Sequence, residues 1–325
     1  MTIQPVHRPI AQDLVAAVDT LLINAVKSGD LEKVGPLLRT ENVNAKDEDG
    51  WTALMHAAFE GDEPMLRLFL VEKPQIDLNA TNNAGETALM LAAEGRCVGA
   101  MKFLLSVGAD VNIVDDSSST ALLMYLNSLH GEDIDVDLVQ DFLRENLDIS
   151  AKDWRGNNAL MLASKTAGPA LKDILLLAMI NHPGIINDRN EKGYTALCFA
   201  AERGDAVFAK KLVAAGADVA WVTKDGKTAA DLAIEAMDVD LADFLLMSAV
   251  EQGRESLEAA KILRQNALSQ WAELNGPPDL AGVDDLDEVS DTSRKGVSFN
   301  EEVDVREFEP ADHEKDDSER GLDDR

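Results

Sequence analysis

The five histidines, His7, His56, His130, His182 and His313, are the residues best suited to acid–base or metal chemistry near neutral pH. None has a cysteine, a second histidine or a carboxylate at metal-ligand spacing. There is no glycine-rich phosphate loop and no nucleophile matched with a base. Cys97 and Cys198 lie far apart in apolar helical stretches and read as buried, reduced thiols. Most Asp and Glu fall in turns and on polar helix faces, where they are simply solvated. The sequence therefore points away from an enzyme, and no cofactor or metal is expected. One cluster remains. In "SRKGVSFNEEVDVREFEP", Ser293 to Pro310, the apolar residues Val297, Phe299, Val303 and Val305 alternate. In an extended chain they share one face. Lys295 precedes the first of them. Ser298 stands between the first two, with Arg294 and Lys295 upstream, as basic-directed kinases prefer. A phosphate there would add about −1.5 to −2 charge.

What positions this cluster is the rest of the 325-residue chain. An apolar fraction of 46% is that of a folded protein, and aromatics at 5% are few for a β-sandwich or an aromatic-lined pocket. The formal net charge of −30 repels phosphate backbones and anionic lipid heads, so no nucleic acid is expected as a partner. The N-terminus lacks a basic stretch followed by a long apolar run, so no signal peptide is expected. The longest fully apolar run, Ile174 to Ile180, is far below the roughly 20 residues of a membrane span, so no membrane insertion is expected either. A cytoplasmic location follows, with the nucleus left open.

The chain repeats itself. "DGWTALMHAAFEGD", "AGETALMLAAEGR", "RGNNALMLAS" and "KGYTALCFAAERGD" are copies of one unit; "SSTALLMYL" and "DGKTAADLAIEA" are weaker ones. Their anchors, with Thr20 from a degenerate first copy, are Thr20, Thr52, Thr87, Thr120, Asn158, Thr195 and Thr228, spaced 32, 35, 33, 38, 37 and 33 residues apart. A glycine two residues before the anchor (Gly50, Gly85, Gly156, Gly193, Gly226) suits a turn with positive φ. The anchor then caps a helix. A second helix follows and ends in "VGADVN" or "AGADVA", whose glycine suits a left-handed helix cap.

These motifs resemble the ankyrin-repeat family, whose period is about 33 residues. The resemblance spans Asp19 to Ala249, about seven units. It implies an all-α solenoid of helix-turn-helix repeats with hairpin loops and an extended concave binding face. The family's Pro is Ala at 53, 88, 121, 159, 196 and 229, and its His is Met or Cys at 55, 90, 161 and 198. Losing the His is expected to leave an apolar contact in place of a Thr–His hydrogen bond. The repeat around Thr120 is the weakest. Tyr125 takes a small-residue position and the inter-helix loop is stretched, so a distortion is expected there. Asp231 marks a capping repeat. Glu255 to Gly276 reads as one more helix, whose Leu257, Ala260, Ile262, Leu263, Leu268 and Trp271 would seal the end. The resulting division is an N-terminal lead-in (1–18), the repeats (19–249), a C-terminal capping helix (250–275) and a disordered acidic tail (276–325). That tail has 18 Asp and Glu against 6 Lys and Arg.

Two partner surfaces follow. Trp51, Trp154, Tyr194 and Trp221 fall on or beside the hairpin turns, where large aromatics favour protein recognition or else pack back on their own hairpin. In the tail, residues 294–305 resemble the R-V-x-F-type docking motif of regulators of type-1 serine/threonine protein phosphatase. By that resemblance Val297 and Phe299 would fill two apolar pockets at a sheet edge and Lys295 would meet an acidic rim. Some targeting subunits of that phosphatase join such a motif to ankyrin repeats, usually ahead of them. The sequence thus reads as a protein–protein interaction adaptor that could recruit the phosphatase catalytic subunit. The alternatives are a plain ankyrin scaffold in a cytoskeletal or signalling assembly, and a direct phosphatase inhibitor.

Overall fold

The computed structural model of the protein describes residues 21–40, 42–72, 75–128, 135–165, 168–180 and 182–253, together with 262, 265 and 269. Among them are seven helix pairs and one short extra helix, with no strand. Helix α1 is helical over the described residues 21–27 and pairs with α2 (Leu31–Thr40). The next pairs are α3 (Ala53–Glu60) with α4 (Glu63–Glu72), and α5 (Ala88–Glu94) with α6 (Val98–Ser106). Then come α7 (Ala121–Ser128) with α8 (Val136–Arg144), and α9 (Ala159–Ser164) with α10 (Pro169–Met179). The short α11 (Pro183–Ile186) leads to α12 (Ala196–Glu202) with α13 (Ala206–Ala214), then α14 (Ala229–Glu235) with α15 (Val239–Glu251). The fold is the all-α solenoid that the repeats predict.

The first helix of each pair starts where its anchor accepts the amide three residues on. Thr52 accepts from Met55 at 3.3 Å, Asn158 from Met161 at 3.0 Å and Thr228 from Asp231 at 3.2 Å. The replaced family histidine leaves more than an apolar contact, which corrects the expectation above. The Sδ of Met55 accepts the Thr52 amide at 3.3 Å and that of Met90 the Thr87 amide at 3.4 Å. The Thr195 hydroxyl donates to Cys198 Sγ at 3.4 Å. Asp231 does the same work with oxygen, taking the Thr228 amide at 2.8 Å and its hydroxyl at 2.7 Å. A polarizable sulfur can thus stand where a polar side chain is usual.

First helices α3, α5, α7, α9, α12 and α14 pack in one row, and second helices α2, α4, α6, α8, α10 and α13 in another. Alanines such as Ala58, Ala92, Ala93, Ala163 and Ala200 are completely buried and let the helices close on each other. The buried side chains form one core cluster running from Leu22 to Ala249. Each fully buried Leu contributes about 1.5–3 kcal/mol. Two lysines tie adjacent second helices by bonding the N-cap aspartate of the next one. Lys102 reaches Asp135 at 2.9 Å and Lys172 reaches Asp205 at 2.5 Å. Asp135 and Asp205 also accept from Leu138 and Phe208.

The hairpin turns share one design. The first turn residue uses its side-chain oxygen to accept amides two and four positions on. Asp47 takes those of Asp49 and Trp51, Asn82 those of Ala84 and Glu86, and Asp115 those of Ser117 and Ser119. Asp153 and Asn190 repeat the pattern, and Thr223 bonds the fourth amide only. Successive turns are then stitched by backbone bonds. Asn83 donates to Asp49 at 3.1 Å, Asp116 to Ala84 at 3.0 Å, Glu191 to Arg155 at 2.8 Å and Lys224 to Lys192 at 3.0 Å. Among the described residues no such bond joins the fourth turn (115–119) to the fifth (153–157).

Glycine usage follows the stitching. A Cβ on Gly50 would lie 2.7 Å from the Asn83 amide nitrogen, and one on Gly193 would lie 3.0 Å from that of Lys224. At the unstitched junction the same place is taken by Ser118, with φ of +60°. The left-handed backbone is still required there, but no following turn closes over it. A second ladder runs below the turns. Asn44, Asn79, Asn112 and Asn187 accept the amides of Asp77, Asp110, Asp148 and Asp218. It misses the step between the fifth and sixth repeats, where Ser150 replaces Asn and the Lys152–Asp188 ion pair, at 2.7 Å, spans the gap instead.

The fourth repeat is distorted as its sequence suggests. The helices of the pairs α3/α4, α5/α6, α9/α10, α12/α13 and α14/α15 pack directly, whereas α7 and α8 scarcely approach. Tyr125 is fully buried in the wider gap, and its hydroxyl accepts the Asp135 amide at 3.3 Å, at the start of α8. At the far end, α15 runs past the expected boundary at 249 to Glu251. Of the helix expected at 250–275, the described residues 262, 265 and 269 are helical. Ile262 is 58% exposed, so it does not seal the array. The anchor Thr20 lies outside the described residues, as do Leu257, Ala260, Leu263, Leu268, Trp271 and the entire tail.

Candidate interaction surface

Side chains from turns two to six and from the first helices behind them line three depressions along the array. The N-terminal depression lies between the first two repeats. It is lined by Lys27, Asp47, Trp51, His56 and Phe59 among others and holds about 760 Å³. His56 Nε2 bonds Asp47 Oδ2 at 2.9 Å, and Lys27 approaches the same oxygen at 3.3 Å. Burial holds His56 below the ordinary histidine value, against the pull of Asp47. Asp47 is resisted by burial, yet the bonds from His56, the Trp51 amide and Lys27 hold it below the usual carboxylate range.

The structure sorts the four predicted partner-binding aromatics. Trp51 stacks on its own helix, 4.9 Å from His56 and edge-on to Phe59 at 5.6 Å. Tyr194, in the equivalent position, lies 5.1 Å from Phe199. Trp221 donates to the Gly193 carbonyl at 3.0 Å and carries Arg189 over its ring at 3.8 Å. These three pack back on the array. Trp154 does not. It is 58% exposed beside the unstitched junction, with the Arg155 guanidinium 4.4 Å above its ring. Lys295, Val297, Ser298 and Phe299 lie outside the described residues.

Trp154 lines two neighbouring depressions. One faces the fourth repeat and is acidic, with Glu86, Glu94, Asp115 and Asp153. Burial, aided by Glu86, pushes the Glu94 carboxyl up. The other lies between the fifth and sixth turns, holds about 460 Å³ and is lined by Trp154, Arg155, Lys165, Lys192, Tyr194 and Phe199, with Glu191 and Glu202 alongside. Lys165 Nζ sits 4.5 Å over the Phe199 ring. Burial pushes the Lys165 ammonium below the ordinary lysine value, and Arg155 and Lys192 work in the same direction against Asp153 and Glu202. Sequence reasoning missed these three cations because each looks solvated alone. The readable signal was the sign change along the turns, from "DEDGW" and "DDSSS" to "DWRGN", "NEKGY" and "TKDGK".

Among the described residues no group of His, Cys, Asp and Glu could hold a metal ion, and no helix is long and apolar enough to cross a membrane. Burial raises the pKa of both Cys97 and Cys198, so neither is an activated thiolate.

Residues 22–115 match a family model described as ankyrin repeats in three copies, and residues 179–233 one described as ankyrin repeats in many copies. The chain carries ankyrin repeats. Between the two matches lie residues 116–178, which hold Ser118, Tyr125 and the unstitched junction. Among solved structures, the ankyrin repeat domain of Bcl-3, described as a unique member of the IkappaB protein family, is similar at 25% identity. That match covers 69% of this chain and 97% of the other, with a TM-score of 0.56. A chain from the complex of the Bd0816 predatory endopeptidase of Bdellovibrio bacteriovorus with the immunity protein Bd3460 is 28% identical. That match covers 69% of this chain and 96% of the other, with a TM-score of 0.39. An ankyrin array is a protein–protein interaction scaffold, and both matching family models are of repeats rather than of an enzyme.

Proposed function

We propose that the chain is a non-enzymatic ankyrin adaptor. It holds one protein on the turn-lined side of its repeats and recruits type-1 serine/threonine protein phosphatase through residues 294–305. The observation that carries the first half is the exposed Trp154 ring between two depressions, in an array whose other turn aromatics pack inward. The second half rests on sequence. Lys295, Val297 and Phe299 fit a docking strand for another protein's sheet edge. The described repeats complete their own core without such a strand. Tethering both partners makes their encounter effectively intramolecular. The reading includes a cytoplasmic site of action, consistent with two free, unpaired thiols.

Capture by the full chain tests the recruitment. Wild type should retain the phosphatase catalytic subunit, and the Val297→Ala/Phe299→Ala chain should lose it. If wild type captures none, the protein is a plain scaffold. If captured phosphatase cannot cleave any substrate, it is a direct inhibitor. Phosphorylation of Ser298 would place charge between pockets that must be dry, so Ser298→Glu should weaken capture; undiminished capture removes this control.

A further inference from the structure

We propose that the depression between the fifth and sixth turns binds a short peptide segment carrying a carboxylate beside an apolar or aromatic side chain. The proposal rests on the adaptor reading and specifies its partner. Three observations lead to it. The first is charge left over. Lys27, Lys102, Lys152, Lys172, Lys211 and Lys227 each reach a carboxylate of this chain. Arg155, Lys165 and Lys192 pair with no carboxylate among the described residues, although they share one depression. The nearby Asp153 is already committed, accepting from the Arg155 and Asn157 amides and from the Asn157 side chain.

The second is the arrangement of those cations. Arg155 lies on Trp154 and Lys165 on Phe199, so aromatic faces hold both heads in place before any ligand arrives. A carboxylate could be met there with little loss of side-chain freedom. Lys165 is half-buried, and an entering anion would relieve the cost of its burial. Tyr194, Phe199 and the open face of Trp154 supply apolar contact beside the charge. The stitched turn amides are already used, so recognition falls to side chains rather than to an added strand.

The third is what limits the ligand. Glu191 and Glu202 also line the depression, and turns two to four carry only acidic charged residues. Screening over about 8 Å at physiological salt lets the local cations act on a nearby carboxylate. A long polyanion would run into repulsion on every side. One or two carboxylates on a partly apolar peptide fit; a nucleic acid does not.

The test pans a displayed library of random dodecapeptides against the full chain. Synthetic, labelled copies of the enriched peptides are then titrated by fluorescence anisotropy. Enriched peptides should carry Asp or Glu next to an aliphatic or aromatic residue, and should bind more weakly as salt rises. Affinity should fall about tenfold or more in Arg155→Ala/Lys192→Ala, whose side chains are exposed and whose loss leaves the turn bonds intact. Enriched peptides that lack a carboxylate but are lost on Trp154→Ala overturn this inference and leave the adaptor reading standing. Enriched peptides indifferent to Trp154→Ala, or no enrichment, overturn both. Binding of a labelled single-stranded oligonucleotide at physiological salt also overturns the peptide assignment.

Discussion

Turns two to four and turns five to seven follow one backbone plan with opposite charge. The first set carries Asp47, Glu48, Asp49, Glu86, Asp115 and Asp116 and no basic residue. The second carries Arg155, Lys192, Lys224 and Lys227 among fewer acids. The plan survives because most of these charges, Glu48, Asp49, Glu86, Asp116, Arg155, Lys192, Lys224 and Lys227, lie away from its anchors. Of the residues just named, only Asp47 and Asp115 are both anchor and charge. An Asx or Thr oxygen anchors each turn, a left-handed residue closes it and a capped helix follows. The exposed positions between are free to diverge. The two sets meet where the plan is incomplete, at the unstitched junction beside Trp154, and the one exposed turn aromatic marks that place.

The largest effect is expected at Tyr125, which fills the gap in the fourth repeat. Tyr125→Ala should cost about 3–5 kcal/mol by chemical denaturation, and Tyr125→Phe, which loses only the bond from the Asp135 amide, about 0.5–1.5 kcal/mol. Equal losses would mean the ring is not what fills the gap. Next comes the pair of lysine ties. The Lys172 side chain is 4% exposed against 36% for Lys102. Asp205→Ala, which strands a buried ammonium, should cost about 3 kcal/mol. Asp135→Ala, which loses a cap and an exposed pair, should cost about 1–2 kcal/mol. A reversed order would show that burial of the lysine does not set the strength of the tie.

Two left-handed turn positions form a matched pair. Gly50→Ala strains a left-handed backbone and presses on Asn83, and should destabilise by about 1–3 kcal/mol. Ser118→Gly relieves left-handed strain where nothing closes over it, and should stabilise by up to about 1 kcal/mol. The smallest effect is on pH dependence. His56 has a folded pKa below its unfolded value, so the unfolded chain takes up its proton first and stability falls as pH drops below about 6.5. Asp47, whose folded pKa is also lowered, loses its contribution further down, as pH falls through the carboxylate range. Thermal unfolding of His56→Gln between neutral and mildly acidic pH should be flatter than that of wild type. Parallel profiles would remove His56 as the cause.

The anchors, the positive-φ glycines and the seven pairs were legible because each rests on a local rule read at fixed spacing. The weak fourth unit was legible from Tyr125 for the same reason. The sulfur acceptors at Met55, Met90 and Cys198 were not, because an apolar residue in a polar place reads first as a lost bond. The fate of the aromatics was not legible either. Trp51 and Trp154 are both turn residues, three places apart in the motif, and only the place next to the first helix, where Trp51 meets His56 and Phe59, offers a surface to cover. Ile262 misled because helical spacing says which face is apolar, not whether anything lies against it.

Suppose the array is put under tension from its two ends. At every other step from the second repeat to the seventh, neighbouring turns part only by rupturing a backbone hydrogen bond. Between the fourth and fifth turns there is none to rupture. Load there falls on the helix rows and on the two bonds of Asn112, which accepts the Asp148 amide and donates to the Asn146 carbonyl. The solenoid should therefore behave as two stiff springs in series with a compliant joint, and yield first beside Trp154.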